Sequence, residues 1–321
     1  MTEEILKIKN LKVIYKTDTG IVNAVNNLSL TVNVGETLGL VGETGAGKTT
    51  TALSIMRLLP DRIGCVDSGE IVLDDMELFK LTDADMQLLR GNVVSMIFQD
   101  PMTSLNPVIC VGDQISEVIQ LHNPDYNKDQ ISEEVDEMFR LVGIPPERKV
   151  EFPHQFSGGM KQRIVIGIAL ACQPKLLLAD EPTTALDVTI QAQILDMMRE
   201  LKEKFATSMV LITHDLGVVA ELCDRVAIMY AGEIIEIGTL MDVYTGDQHH
   251  PYTKGLFGSI PNLGKQERRL HPIDGLMPDP TQLPDGCKFF ERCPYRMDKC
   301  EKSQPYLLNF DTHSIRCFLY E

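Results

Sequence analysis

Residues 42–49, Gly42-Glu43-Thr44-Gly45-Ala46-Gly47-Lys48-Thr49, follow the pattern G-x-x-x-x-G-K-T/S that cradles phosphate groups. Glycines let consecutive backbone N–H groups turn inward onto phosphate oxygens, and the N-terminus of a following helix adds positive potential at the same point. The ammonium of Lys48 can then pair with the β- and γ-phosphates of a nucleotide. The Thr49 hydroxyl can ligate Mg²⁺.

Downstream, Leu176-Leu177-Leu178-Ala179 ends at two carboxylates, Asp180 and Glu181. Ligands gather beyond the carboxyl ends of strands in open parallel sheets. There Asp180 can hold the magnesium, directly or through water, and Glu181 can polarise an attacking water as a general base. Taken alone, the pair also fits a strand end capped by solvated acids. Gln99 and His214 each follow a short apolar run in the same manner. Ser157-Gly158-Gly159 precedes Met160-Lys161-Gln162-Arg163, and a serine with two glycines at a helix start forms either a second anion site or an ordinary serine cap.

Such residues need a scaffold that brings strand ends together. Residues 22–34 alternate as a strand does, and Thr37–Val41 reads as a buried strand running into the glycine turn. A helix is expected from about Lys48 through Leu53, Ile55, Met56 and Leu59 to the break at Pro60. Apolar runs at 93–98, 175–179 and 209–213 suit buried strands of a mostly parallel sheet. Between the last two, Ile190, Ile194, Met197, Leu201 and Phe205 recur at helical spacing within Val188–Phe205, as in a crossover helix. Residues 113–152 are polar and helix-prone, with an apolar stripe of Ile131, Val135, Met138 and Leu141, and read as an inserted helical subdomain within about 100–160. The expected class is α/β, with one nucleotide-binding domain over 1–240 and an extension over 241–321. In that extension, residues 271–286 hold four prolines and two glycines and read as an extended connector.

Composition narrows the function. At 321 residues and 44% hydrophobic content, the chain is too long for one small core and too apolar to be disordered. No apolar run approaches the roughly 20 residues that cross a bilayer. The start, Met1-Thr2-Glu3-Glu4, is acidic where a secretory signal is basic, so a cytoplasmic location is expected. A net charge of -16 argues against nucleic acid as a partner. Each motif occurs once, which excludes two tandem nucleotide domains. Cys65, Cys110, Cys172 and Cys223 are scattered, whereas Cys287, Cys293, Cys300 and Cys317 crowd the end of the chain. Disulfides are the less expected use of either set in a reducing compartment. The spacing of the four is not the C-x-x-C pairing of structural zinc. They suffice for a 4Fe–4S cluster, with zinc or four unligated thiols as alternatives and His313 as a conceivable substitute ligand.

Taken in order, these motifs resemble the ABC ATPase superfamily over about residues 6–238. The stretch from Phe156 to Arg163 is similar to its signature, S-G-G-x-x-Q-R. Gln99 matches its Q-loop, Thr184-Ala185-Leu186-Asp187 its D-loop and His214 its switch histidine. Tyr15 stands where the family places an aromatic against adenine, although an edge-strand aromatic fits equally. Phe156 replaces the commoner Leu and Thr184 the commoner Ser, and neither change removes a group that the chemistry needs. The resemblance implies a phosphate-loop NTPase fold with a mixed sheet, and ATP hydrolysis by Lys48, Gln99, Glu181 and His214. It implies nucleotide contacts from Tyr15, residues 42–50, Gln99, Ser157, Gly158, Gly159 and Asp187, and Mg²⁺ held by Thr49, Gln99 and Asp180. In this family two nucleotide domains meet head to tail, so that ATP on Lys48 of one is covered by Ser157 and Gly159 of the other.

The tail, with His250-Pro251-Tyr252-Thr253-Lys254-Gly255-Leu256, Pro284-Asp285-Gly286-Cys287-Lys288-Phe289 and Arg292-Cys293, looks like that of ATPases of the oligopeptide, dipeptide and nickel importers. That likeness implies two transmembrane permease subunits docked on residues 99–107 and the helical block. It also implies a second, related ATPase subunit in a heterodimer, an extracytoplasmic substrate-binding protein, a peripheral place on the cytoplasmic face of the membrane, and a 4Fe–4S cluster on the four cysteines. Peptide import is the expected function, with nickel import as the alternative. A soluble ABC ATPase of DNA repair or translation fits poorly, because no sustained heptads separate Lys48 from Ser157.

Overall fold

Two sheets organise the chain in the computed structural model, which describes residues 3–184, 186–259 and 272–321. β1 (Glu4–Thr17) and β2 (Gly20–Asn33) pair antiparallel, and their alternation buries Leu6, Ile8, Leu11 and Val13 against Val25, Leu28, Leu30 and Val32. β3 (Thr37–Val41) is buried at all five positions and leads through the glycine turn into α1 (Lys48–Ile55). This helix stops a turn earlier than its apolar spacing suggests. Arg57 adopts a left-handed φ of 50°, its N–H bonds the Ser54 carbonyl (3.2 Å), and the Leu58 N–H bonds the Leu53 carbonyl (2.8 Å). This Schellman closure satisfies the last carbonyls before Pro60 is reached. β4 (Gly64–Leu73) and β5 (Met76–Glu77) complete a four-stranded sheet in the order β2-β1-β4-β5. Tyr15 therefore lies on an interior strand, and the edge-strand alternative falls.

After α2 (Asp83–Leu89), β6 (Val94–Ile97) opens the second sheet and the helical block follows: α3 (Pro101–Ser104), α4 (Val111–His122), α5 (Lys128–Leu141) and α6 (Gly158–Leu170). Asn127 and Gln130 close a capping box at the start of α5, while Ile131, Val135 and Met138 on its inner face are buried. The chain continues through β7 (Leu176–Asp180), α7 (Val188–Phe205), β8 (Ser208–Thr213), α8 (Leu216–Leu222), β9 (Arg225–Tyr230), β10 (Glu233–Thr239), α9 (Leu240–Thr245) and α10 (Pro251–Gly258). The tail adds α11 (Asp298–Lys302), β11 (Leu308–Phe310) and β12 (His313–Ile315). Sheet order is β11-β12-β10-β9-β3-β8-β7-β6, parallel from β9 to β6 and antiparallel elsewhere. Residues 272–286 of the connector form neither helix nor strand, and His271 lies outside the described residues. No helix among the described residues is long and apolar enough to cross a membrane.

The last strands close the edge of the second sheet, with Ile315 opposite Glu236 and Ser314 opposite Ile237. Glu236 is fully buried. Its Oε1 meets Nδ1 of His249 (2.8 Å) and Nε2 of His313 (3.0 Å), and its Oε2 accepts the His250 N–H (2.7 Å). His313, a conceivable substitute for a cysteine, is thus turned to a carboxylate instead. Nε2 of His249 lies 2.7 Å from the Gly246 carbonyl, so both of its ring nitrogens face acceptors and the imidazolium is favoured. Burial pushes the Glu236 carboxyl up, but these hydrogen bonds outweigh it and hold the group at about 2. The hydrogen bond to Glu236 raises His249 above the usual histidine range.

The stabilisation from His249 is therefore full below its unfolded value and fades as pH rises through its raised folded value. That from Glu236 is present above the ordinary carboxylate range and is lost only as pH falls toward about 2. Glu236→Gln is expected to cost about 3 kcal/mol, because it leaves buried partners unmatched. It should also flatten the decline in stability between mildly acidic and mildly alkaline buffer, as read by urea denaturation at both.

Candidate active site

The phosphate loop leaves β3 and must pass very close to other backbone. A Cβ on Gly42 would sit 2.3 Å from the Met229 carbonyl oxygen, and one on Gly47 would sit 2.4 Å from that of Ala24. Gly45 and Gly47 also hold φ of 84° and 103°. Lys48, the first residue of α1, is buried and folds back over the loop. Its Nζ donates to the carbonyls of Gly42 (2.6 Å) and Glu43 (3.0 Å). Burial lowers its affinity for the proton, and the nearby carboxylates of Glu181, Asp180 and Glu43 partly offset that. A cavity opens in front of the loop, lined by Thr44, Gly45, Gly47, Lys48, Thr49 and Thr50 together with Tyr15, Gln99 and Glu181. Tyr15 is fixed there by a bond between its hydroxyl and that of Thr50 (3.1 Å).

Three neighbouring parallel strands, β6, β7 and β8, end at the same edge, so the residues just past them converge. Glu181 follows β7. Its Oε1 lies 2.9 Å from Nδ1 of His214, and its Oε2 accepts from Nε2 of Gln99 (3.0 Å) and from the Thr184 hydroxyl (2.9 Å). Burial works to raise this carboxyl, yet the three side-chain donors outweigh it and hold the group below the usual range. Its backbone is left-handed, with φ of 48°, a strained conformation for a residue with a side chain. Asp180 lies one residue back on the strand and is almost wholly buried, which pushes its carboxyl up against the opposing Thr49 hydrogen bond. Its Oδ1 has no hydrogen-bond partner among the described residues. A buried acceptor left open beside the Thr49 hydroxyl suits a divalent cation.

Other expected site residues lie elsewhere. Ser157 caps α6, its hydroxyl accepting the Met160 N–H (3.4 Å), and Asp187 caps α7, accepting that of Ile190 (3.0 Å). Ser157, Gly158, Gly159 and Asp187 are absent from the lining of the loop cavity. Ala185 lies outside the described residues. Gly158 has open space on its Cβ side, whereas a Cβ on Gly159 would meet Ile190 at 2.6 Å. Motif spacing gave no sign of Val22, Ala24 and Pro280, which also line the cavity. Pro280 sits more than 200 residues from the loop and no local pattern announces it.

Cys287, Cys293, Cys300 and Cys317 line a second cavity together with His250, Phe289 and Phe318, and none of the four is in a disulfide. Burial pushes Cys287 up to about 12 and also raises Cys293 and Cys317. Sulfurs on a single tetrahedral zinc stand about 3.8 Å apart. Among the described residues, the one set of three ligand atoms gathered within 4.8 Å is Glu236, His249 and His313, so no three of the four sulfurs lie that close together.

The sequence profile of the ABC transporter family matches residues 25–184, and that of the oligopeptide/dipeptide transporter C-terminal region matches residues 235–300. The chain is 50% identical to the dipeptide transport ATP-binding protein DppD of Bacillus subtilis, over 99% of this chain and 96% of that one. This chain belongs to the ABC transporter family. It is 48% identical to the oligopeptide transport ATP-binding protein AppD of Bacillus subtilis, over 99% of this chain and 97% of that one. Identity to the oligopeptide transport ATP-binding protein OppD of Haemophilus influenzae is 46%, over 98% and 97%. Among solved structures, a dimeric post-hydrolysis state of the ATP-binding cassette MJ0796 bound to ADP and Pi aligns with a TM-score of 0.66 at 26% identity. That match covers 73% of this chain and 98% of that one. The protein is thus an ABC-type ATPase on a phosphate-loop α/β fold.

Gly47→Ala tests the cradle. With the loop at φ 103° and a carbonyl 2.4 Å from the added methyl, the cassette is expected to lose ADP binding in calorimetry while keeping its far-UV circular dichroism.

Proposed function

We propose that this ABC ATPase couples ATP binding and hydrolysis to the import of peptides. Similarity along nearly its whole length to dipeptide and oligopeptide transport ATP-binding proteins carries this reading. In it, Lys48 exchanges the carbonyls of Gly42 and Glu43 for the β- and γ-phosphates, and the amides of residues 42–50 close around them. Tyr15 stacks on the adenine. Thr49, Asp180 and Gln99 would hold Mg²⁺, which would neutralise phosphate charge when bound. Glu181, kept ionised by His214, Gln99 and Thr184, accepts a proton from the attacking water. Gln99 and His214 orient that water and the γ-phosphate.

Ser157, Gly158, Gly159 and Asp187 do not reach the cavity of their own chain, so a second ATPase subunit supplies them in a head-to-tail pair, which we take to be a heterodimer. Two transmembrane permease subunits dock on residues 99–107 and the helical block, and an extracytoplasmic binding protein delivers the peptide. The chain then sits on the cytoplasmic face of the membrane, with residues 1–240 as its nucleotide-binding domain and 241–321 as its extension.

For the four cysteines we favour a 4Fe–4S cluster over zinc. Buried thiols raised by desolvation stay protonated unless a cation takes the proton's place, and their wide spread suits ligands to separate irons better than ligands to one ion.

Two measurements check these roles. Glu181→Gln is expected to bind ATP normally, to lose at least about 100-fold in turnover and to accumulate as an ATP-bound dimer; steady-state hydrolysis near the parent rate would remove the base assignment. Anaerobically purified protein should be brown, with absorbance near about 400 nm that Cys317→Ser diminishes. Colourless protein carrying stoichiometric zinc is the contrary result.

A further inference from the structure

Residues from the tail reach back to the phosphate loop and converge on Glu43. Its N–H donates to the hydroxyl of Tyr252, a fully buried residue on α10 (3.0 Å). Its carboxylate is held by the Arg292 guanidinium, Nη1 to Oε2 at 3.1 Å and Nη2 to Oε1 at 3.2 Å. The Arg292 side chain is only 6% exposed and is itself fixed by the Tyr230 hydroxyl (3.3 Å) and the Asp274 carbonyl (3.0 Å). Phe289 packs its ring on Tyr230 and Tyr252 and also lines the cavity of the cysteines. Met277 lies close over Gly45.

A carboxylate within a loop built to receive a triphosphate is an electrostatic liability. Glu43 repels the ligand, and its field also reaches Lys48. A bidentate guanidinium cancels most of that charge and turns the side chain away from the cradle. We propose that Arg292 is a positioning residue for nucleotide binding. Held by the tail, it neutralises Glu43 and, with Tyr252, fixes the first half of the phosphate loop, so that affinity for ATP depends on a residue 249 positions away. The inference rests on the nucleotide site described above and is independent of what the cysteines bind.

The test reads the Kd for ADP by calorimetry, iron content and melting temperature on the purified full chain, and KM and kcat for ATP on the chain assembled with its partner ATPase subunit. Arg292→Ala is expected to raise Kd and KM about tenfold and to leave kcat within about twofold, since Glu181 and His214 are untouched. Adding Glu43→Gln removes the exposed charge and should restore most of the affinity. A merely structural role for Arg292 predicts no such rescue. Glu43→Gln alone removes a negative charge beside the phosphates and leaves the Arg292 guanidinium unopposed, so it should tighten Kd, and this arm decides the matter if Arg292→Ala does not fold. A KM within twofold of the parent in Arg292→Ala, a double variant as weak as the single one, or binding by Glu43→Gln no tighter than that of the parent overturns the proposal. Failure of the parent to bind ADP at all would instead overturn the nucleotide site itself. Iron content measured on the same samples separates loss of this contact from loss of the cysteine-bound metal.

Discussion

Side-by-side pairing of β7 with β6 and β8 determines where Gln99, Glu181 and His214 can be. Parallel strands in register end together, so residues just past three adjacent strands meet without any of them lying near another in sequence. The carboxylate of Glu181 is the point at which they meet. Its left-handed backbone and three donors hold it against the cavity, and the glycine loop leaving β3, beside β8, closes the opposite wall. If the register of these strands slipped, their ends would no longer coincide and the three side chains just past them would separate.

Asp180 and Glu181 are neighbours in sequence and opposites in environment. Burial raises the first, which keeps an unpaired oxygen, while a ring of donors lowers the second. Adjacent acids pushed in opposite directions suit the two roles proposed for them, one toward a cation and the other toward a water. The break in backbone conformation supplies the division, because Asp180 ends the strand while Glu181 turns out of it at a left-handed φ of 48°.

The glycine loop, the acid pair and the helix over Val188–Phe205 were all legible in residue order, because each is a local pattern with a local physical cause. What escaped has two causes, local competition at a helix end and distance along the chain. Nothing near Arg57 marks the end of α1, since its closure competes with good helix formers and wins by satisfying carbonyls. The pairing of β1 with β4 and the strands β9 and β10 carry no turn motif that links them to the site. Glu236 sits in an apolar strand as an apparent exception, and its three partners come from two later segments. Arg292 likewise stood out only as part of a tail motif, and its partner Glu43 occupies a position that the loop pattern leaves unspecified.

The strands at Leu308–Phe310 and His313–Ile315 belong to the same sheet as β3. During synthesis they leave the ribosome long after the strands they join. Until they arrive, β10 presents open backbone donors and acceptors along its free side, and the Glu236 carboxylate lacks one of its imidazole partners. The nascent cassette therefore passes through a stage in which its nucleotide pocket can already exist while one border of its sheet is still unfinished and adhesive.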